Sequence, residues 1–277
     1  MNGIAVHNKQ GILLRVGLYL LFAFLGVLIF PVILRPLGDL LMTTLSTFAA
    51  AAVANAVVVR IYERGRLADV GLGWSPSSGR EFLIGAATGM AAAMVVILVP
   101  LALRMVKFER AQVGVDHPWA VFAFGGIALF FGVMGEELLF RGYAFQLLIR
   151  SSGPFATILP TSLIFGLMHS ANPGASSLGI INTVAWGILL GWAVWRTGAL
   201  WLPIGLHFGW NVMLPLLGSN LSGLTMGVTG YTLAWNVGVL WSGGSYGVEG
   251  SMLTTAVVVA LFAGLRKLIP QAGATES

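Results

Sequence analysis

Long apolar runs separated by short polar breaks dominate the chain. Hydrophobic stretches recur at roughly 16–34, 40–59, 83–103, 119–149, 156–169, 180–195, 200–217 and 252–268. A helix needs about 20 apolar residues to cross the hydrocarbon of a bilayer, so the pattern predicts about eight membrane helices. The fourth run is long for one span, and the fifth and sixth are short. The first run follows Lys9 and Arg15, as a signal peptide would, but Pro31, Arg35 and Pro36 follow it without a small-x-small cleavage site. It therefore reads as an uncleaved helix.

The breaks carry their own information. Residues 60–82 form a basic loop punctuated by Gly71, Gly73, Pro76 and Gly79. Residues 218–251 are glycine-rich and contain no Lys or Arg, yet hold an apolar stretch from Tyr231 to Trp241. That stretch is expected to be a re-entrant or interfacial segment, or an additional short span. Small-xxx-small pairs at Gly85/Gly89, Gly187/Gly191 and Gly205/Gly209 suit close helix packing. The chain divides into an N-terminal three-helix region (1–118), a core (119–251), and a last helix with its tail (252–277), all within one membrane domain.

Composition agrees with this. Of 277 residues, 57% are hydrophobic and only 9% charged, too few charges to cover the surface of a soluble domain. The class is an all-α, multi-pass helix bundle. With no cysteine, disulfides, thiolate metal sites and a cysteine nucleophile are excluded. The net charge of +5 reflects loops that set topology and meet anionic lipid, and nucleic acid is not expected as a partner. Lys9, Arg15, Arg60, Arg64, Arg66, Arg80, Arg150, Arg196, Arg266 and Lys267 fall on one side of the bundle, against Arg35, Arg104, Lys107 and Arg110 on the other. Ten against four places both termini in the cytoplasm.

Charge inside a span is costly and usually functional. The fourth run holds such a cluster, Glu136-Glu137-Leu138-Leu139-Phe140-Arg141. Glu137 and Arg141 share a helical face at i,i+4 and can neutralise each other. Glu136 points about 100° away and is left for other work. His169 closes the fifth run, and His207 and Asn211 share a face of the seventh. His7 and His117 lie in a tail and a loop and are assigned nothing. Counting 1.5 Å per residue from the expected cytoplasmic ends puts Glu136 about 20 Å up, His169 about 21 Å, His207 about 12 Å and Asn211 about 18 Å.

A carboxylate, two imidazoles and an amide at similar depth can activate water and stabilise an oxyanion. Glu136 would take the proton, His169 would position the water or share in the proton transfer, and His207 and Asn211 would donate to the tetrahedral oxygen. Alternatively, His169 and His207 with Glu136 would hold a divalent metal such as zinc that lowers the water's pKa. No G-x-S-x-G, P-loop or G-x-G-x-x-G motif is present.

These residues resemble a known family. Glu136/Glu137/Arg141, Phe165/His169 and His207/Asn211, each on its own helix, are similar to the motifs of the CAAX protease and bacteriocin-processing (CPBP, or ABI) family. Those intramembrane proteases are related to type II CAAX prenyl endopeptidases. Segments Arg66–Leu72, Arg196–Ile204 and Gly243–Gly250 are similar to family text as well. The resemblance implies an eight-helix bundle with a cytoplasm-facing cavity. It implies a catalytic Glu136 with His169, His207 and Asn211 as partners, and Glu137 and Arg141 in support. It leaves metal-dependent and glutamate-dependent routes open. The expected activity is endoproteolysis of a membrane-associated or prenylated peptide or protein in the cell membrane, reached from the cytoplasmic side. Two other readings compete with it. One is a non-catalytic immunity or anchoring protein that binds peptides in the same cavity. The other is a proton-coupled transporter, which a broken-helix pair or two-fold repeat would have favoured.

Overall fold

Backbone polar groups in lipid must be satisfied internally, so apolar runs of this length fold as helices. The computed structural model describes residues 9–111 and 118–268, so His7 and His117 lie outside the described residues. The helices are α1 (Lys9–Leu34), α2 (Asp39–Glu63), α3 (Ser78–Ala102), α4 (Pro118–Arg141), α5 (Tyr143–Ser152), α6 (Pro154–Met168), α7 (Ser177–Thr197), α8 (Trp201–Leu216), α9 (Val239–Ser242) and α10 (Met252–Leu268). All eight expected runs are helical. Among the described residues, six helical segments are long and apolar enough to cross a membrane. α8 and α10 fall short of that length, at 16 and 17 residues. α8 has little need of it, because it packs inside the bundle, where Leu202, Ile204, Leu206, Trp210, Val212 and Leu214 are buried.

Two expectations change. The fourth run is not one helix but α4 and α5, broken at Gly142. The cause is a long-range contact: the Asn55 amide of α2 donates to the Leu138 carbonyl (3.0 Å) and accepts from the Tyr143 N–H (2.7 Å). A methyl group at Gly142 would overlap both the Asn55 side chain and the Leu138 carbonyl. The stretch from Tyr231 to Trp241 adds no span. Its first part is a strand, β2 (Tyr231–Trp235), paired antiparallel with β1 (Val106–Arg110) in the register Val106↔Trp235 to Arg110↔Tyr231. The short α9 and two single turns, Gly244–Tyr246 and Val248–Gly250, complete the segment.

Alternating helix directions give the bundle two ends. One is a basic rim at the α2–α3, α5–α6 and α7–α8 connections, with Arg64 and Arg66 in the first and Arg150 and Arg196 in the last turns of α5 and α7. The other end holds the α1–α2 turn, the two strands and residues 218–251. α1 starts at the rim, since its Arg15 is ion-paired with Glu63, the last residue of α2. α10 runs alongside α7 in the same direction, shown by Thr255 on Asn182 (2.7 Å) and Phe262 against Trp192 (5.3 Å), and so finishes at the rim.

α3 and α8 cross on reciprocal glycines. A methyl group at Gly85 or Gly89 would overlap the carbonyl oxygens of Leu202 or Leu206. One at Gly205 or Gly209 would overlap those of Phe82 or Ala86. This backbone approach seats α8, and with it His207, in the core. Gly209→Val should therefore lower the unfolding temperature in detergent, with overpacking costing about 1–3 kcal/mol or more. An unchanged unfolding temperature would show that the crossing tolerates a side chain.

Candidate active site

Glu136 and Glu137 lie on the last two turns of α4, one turn above the break at Gly142. Gly135, just before them, abuts the α2 backbone at Thr47 and Phe48. α4 is thereby pressed onto α2, and the two carboxylates are turned toward α8 and α6. Because α4 ends at Arg141, Glu136 is only about 7.5 Å above the end of its helix, at 1.5 Å per residue.

Glu137 is fully buried and organises the site. Its Oε1 accepts from Arg141 Nη1 (3.2 Å) and from His207 Nδ1 (2.9 Å). Arg141 donates its other terminal nitrogen to the Gly187 carbonyl of α7 (3.3 Å). Its guanidinium also lies over the Phe165 ring, 4.6 Å from the centroid, an attraction that strengthens away from water. A buried arginine with no anion beside it would be very costly, so this pair is a structural necessity as well as a support. The spacing of Glu137 and Arg141 already suggested their pairing, but not the third member, His207.

The Glu137 carboxylate can only accept, so the bond fixes a proton on His207 Nδ1 and leaves Nε2 for the cavity. Nε2 stands 3.7 Å from Glu136 Oε2. Oε2 has no hydrogen-bond partner among the described residues, although the Glu136 side chain is 32% exposed to the cavity. A similar device sets His169. It caps α6, and its Nδ1 donates to the Phe165 carbonyl (2.8 Å), again leaving Nε2 for the cavity. The Phe165 ring packs edge-on against both imidazoles, with centroids 4.8 Å from His169 and 6.2 Å from His207. Phe165 is thus a spacer between the histidines and a platform for Arg141.

One cavity of about 730 Å³ unites the candidates. Glu136, His169, His207 and Asn211 all line it, alongside Phe140, Phe165, Trp186 and Trp210. Glu137 and Arg141 stand behind the wall. Glu136 and His207 are brought into direct proximity, whereas His169 and Asn211 share the cavity without a hydrogen bond to either. The lining continues to Asp39 and Val121, at the end of the bundle away from the basic rim.

Glu249 also lines the cavity, and motif reading passed over it. Its Oε1 accepts from Trp210 Nε1 (3.1 Å), and its Oε2 from the Ser222 amide and the Ser222 hydroxyl (3.1 Å). Asn182 of α7 anchors the surrounding turn by donating to the Glu249 and Ser251 carbonyls at 2.7 and 2.9 Å. Burial raises the Glu249 carboxyl above the usual carboxylate range, and the bonds from Trp210 and Ser222 pull it back. A signal was available: Glu249 is the one charged residue in 218–251. Glu249→Ala should loosen this segment, unpaired donors costing about 1–3 kcal/mol, and limited proteolysis within 218–251 should accelerate. An unchanged cleavage pattern would mean that Glu249 does not anchor it.

A catalytic zinc takes three protein ligands. Among the described residues, no group of three His, Cys, Asp or Glu side chains is placed to hold a metal ion. His169, His207 and Glu136, the set that the sequence suggested for a metal, are thus not drawn together as a three-ligand site among the described residues.

No curated protein matches the chain. The family of type II CAAX prenyl endopeptidase Rce1-like proteins, by contrast, matches residues 118–213. That segment runs from the first residue of α4 to two residues past Asn211, and includes every motif residue but not Glu249. This family implies a protease acting on membrane-associated peptides or proteins, and the apolar helices make the chain an integral multi-pass membrane protein. Over residues 118–213, from α4 to the middle of α8, the chain is similar to that family.

Proposed function

We propose that the protein is an intramembrane endopeptidase that hydrolyses a peptide bond of a membrane-associated protein with water activated by Glu136. The observation that carries this reading is the His207 ring, bonded through Nδ1 to the buried Glu137 and facing Glu136 through Nε2 on the wall of an apolar cavity. A carboxylate on the wall of such a cavity is within reach of water there and can act on it as a general base. Glu136 takes a proton from water, and the hydroxide formed adds to the substrate carbonyl.

The oxygen that becomes negative needs donors. The Asn211 amide is one, and a protonated His207 Nε2 is the other; His207 can take up the proton Glu136 removes and pass it to the leaving amine. His169, held by the Phe165 carbonyl, orients the water from the α6 side. Glu137 and Arg141 never meet substrate; they fix the tautomer and tilt of His207. Prenylated substrates belong to the wider class this cavity suits, and nothing in its chemistry requires a prenyl group.

The test is a comparison of protein termini in membranes from cells expressing the wild type or Glu136→Gln. Wild-type-specific new termini near membrane segments are expected. Identical sets of termini would overturn the reading in favour of a peptide-binding, non-catalytic protein.

A further inference from the structure

Two carboxylates buried in the bundle have an arginine beside them: Glu63 is ion-paired with Arg15, and Glu137 with Arg141. Glu249 lines the cavity and has no such cation among the described residues. Its partners are neutral donors, the Trp210 indole N–H on Oε1 and the Ser222 N–H and hydroxyl on Oε2. An indole or backbone N–H can only donate, so both oxygens accept, and these bonds favour the ionised carboxylate. Neutral donors satisfy lone pairs without cancelling the charge, and an uncancelled charge away from water is costly. His169 is near enough to act on this charge, but its Nδ1 is turned to the Phe165 carbonyl and it makes no ion pair with Glu249.

The wall next to Glu249 suits a long cationic side chain. Trp186 and Trp210 both line the cavity, with ring centroids 4.9 Å apart. Aromatic faces attract ammonium and guanidinium groups, and they also cover the methylene stem that carries the charge. Trp186 is 7% exposed, and its indole N–H has no hydrogen-bond partner among the described residues. A buried donor of this kind calls for an acceptor that the chain does not supply, and a peptide carbonyl is one. No Lys or Arg lines the cavity, so the missing cation is one that a bound peptide can bring.

We propose that Glu249, with Trp186 and Trp210, forms a subsite that takes a lysine or arginine side chain of the substrate. The proposal rests on the hydrolytic reading above for the place of that residue relative to the cut bond, but not for the binding of the cation. Trp210 follows His207 on α8 by three residues, about 4.5 Å along the helix, and an extended peptide advances about 3.3 Å per residue. The basic residue therefore lies within about three positions of the scissile bond. Glu249 thus determines specificity in addition to anchoring the segment that carries it.

The first test is peptide binding to the purified Glu136→Gln protein in detergent. The probes are an apolar decapeptide with one central lysine and the same peptide with norleucine there, which keeps the stem and lacks the charge. The lysine peptide is expected to bind about tenfold tighter or more, the usual size of a hydrogen-bonded charge contact. Adding Glu249→Gln should abolish the difference. Glu249→Asp, which keeps the charge but shortens the reach to Ser222 and Trp210, should retain it. Equal affinity for the two peptides, or binding of neither, overturns the proposal. So does a lysine preference that survives Glu249→Gln, or one that Glu249→Asp loses as fully as Glu249→Gln, because the tie to Ser222 would then matter and not the charge. The second test is the sequence around the wild-type-specific termini described above. Lys or Arg should recur at one fixed place within about three residues of the cut, and that preference should disperse in Glu249→Gln. Termini without a basic residue at a fixed place overturn the subsite. Lysine-selective binding with no wild-type-specific termini at all would sink the hydrolytic mechanism and leave the subsite standing.

Discussion

Replacing Glu136 by glutamine is expected to lower turnover by about 10²–10⁴-fold, the usual contribution of a positioned general base, with little change in KM or in unfolding temperature. The stability half of this follows from the hydrogen bonds. Glu136 Oε2 has no partner within the described protein, so the isosteric amide forfeits no hydrogen bond there. Its nearest imidazole nitrogen, at 3.7 Å, is already held in place from the other side by Glu137. An effect confined to kcat is the signature of a group that acts in the transition state, whereas a rise in KM alone would mark Glu136 as a binding residue. Wild-type turnover by Glu136→Gln would remove it from the chemistry altogether.

Glu137→Ala should behave differently. Glu137 is completely buried and joins Arg141 to His207, so its removal leaves a desolvated guanidinium and a loose imidazole. Breaking a buried ion pair from one side costs about 3–5 kcal/mol, large against the marginal stability of a folded domain. The unfolding temperature should fall sharply and activity should be lost with it. Arg141→Met combined with Glu137→Gln removes both charges and keeps an acceptor for His207 Nδ1. It should recover most of the lost stability, and recovery of some activity would identify Glu137 as a positioning residue. If Glu137→Ala alone proved as stable as the wild type, the ion pair would have no structural part.

Much of this architecture is legible in the sequence because lipid imposes simple demands. A run such as 83–103 can only be a helix, and glycines four apart in 85/89 and 205/209 advertise close packing, though not that the two pairs face each other. Charges as costly as Glu136, Glu137 and Arg141 point to the site on their own. What was hidden depends on partners far away in the chain. The break at Gly142 is made by Asn55, and the strand at Tyr231–Trp235 exists because Val106–Arg110 pairs with it. The same is true of Glu249, held by Trp210 and Ser222. The His207–Glu137 bond spans 70 residues, beyond any helical periodicity. Glu136 and His207 meet at 3.7 Å, and Glu136 sits closer to the end of its helix than the run to 149 implied, because α4 ends at Arg141.

The most direct measurement is a single turnover in ¹⁸O-water, with purified protein in liposomes and a membrane-anchored substrate found from the comparison of termini. If Glu136 acts as a base on water, the label enters the new C-terminal carboxylate of the product in the first turnover. Glu136 itself remains unlabelled, and Glu136→Gln gives almost no product. An unlabelled product with label on Glu136, or product formed at the wild-type rate by Glu136→Gln, would contradict the mechanism.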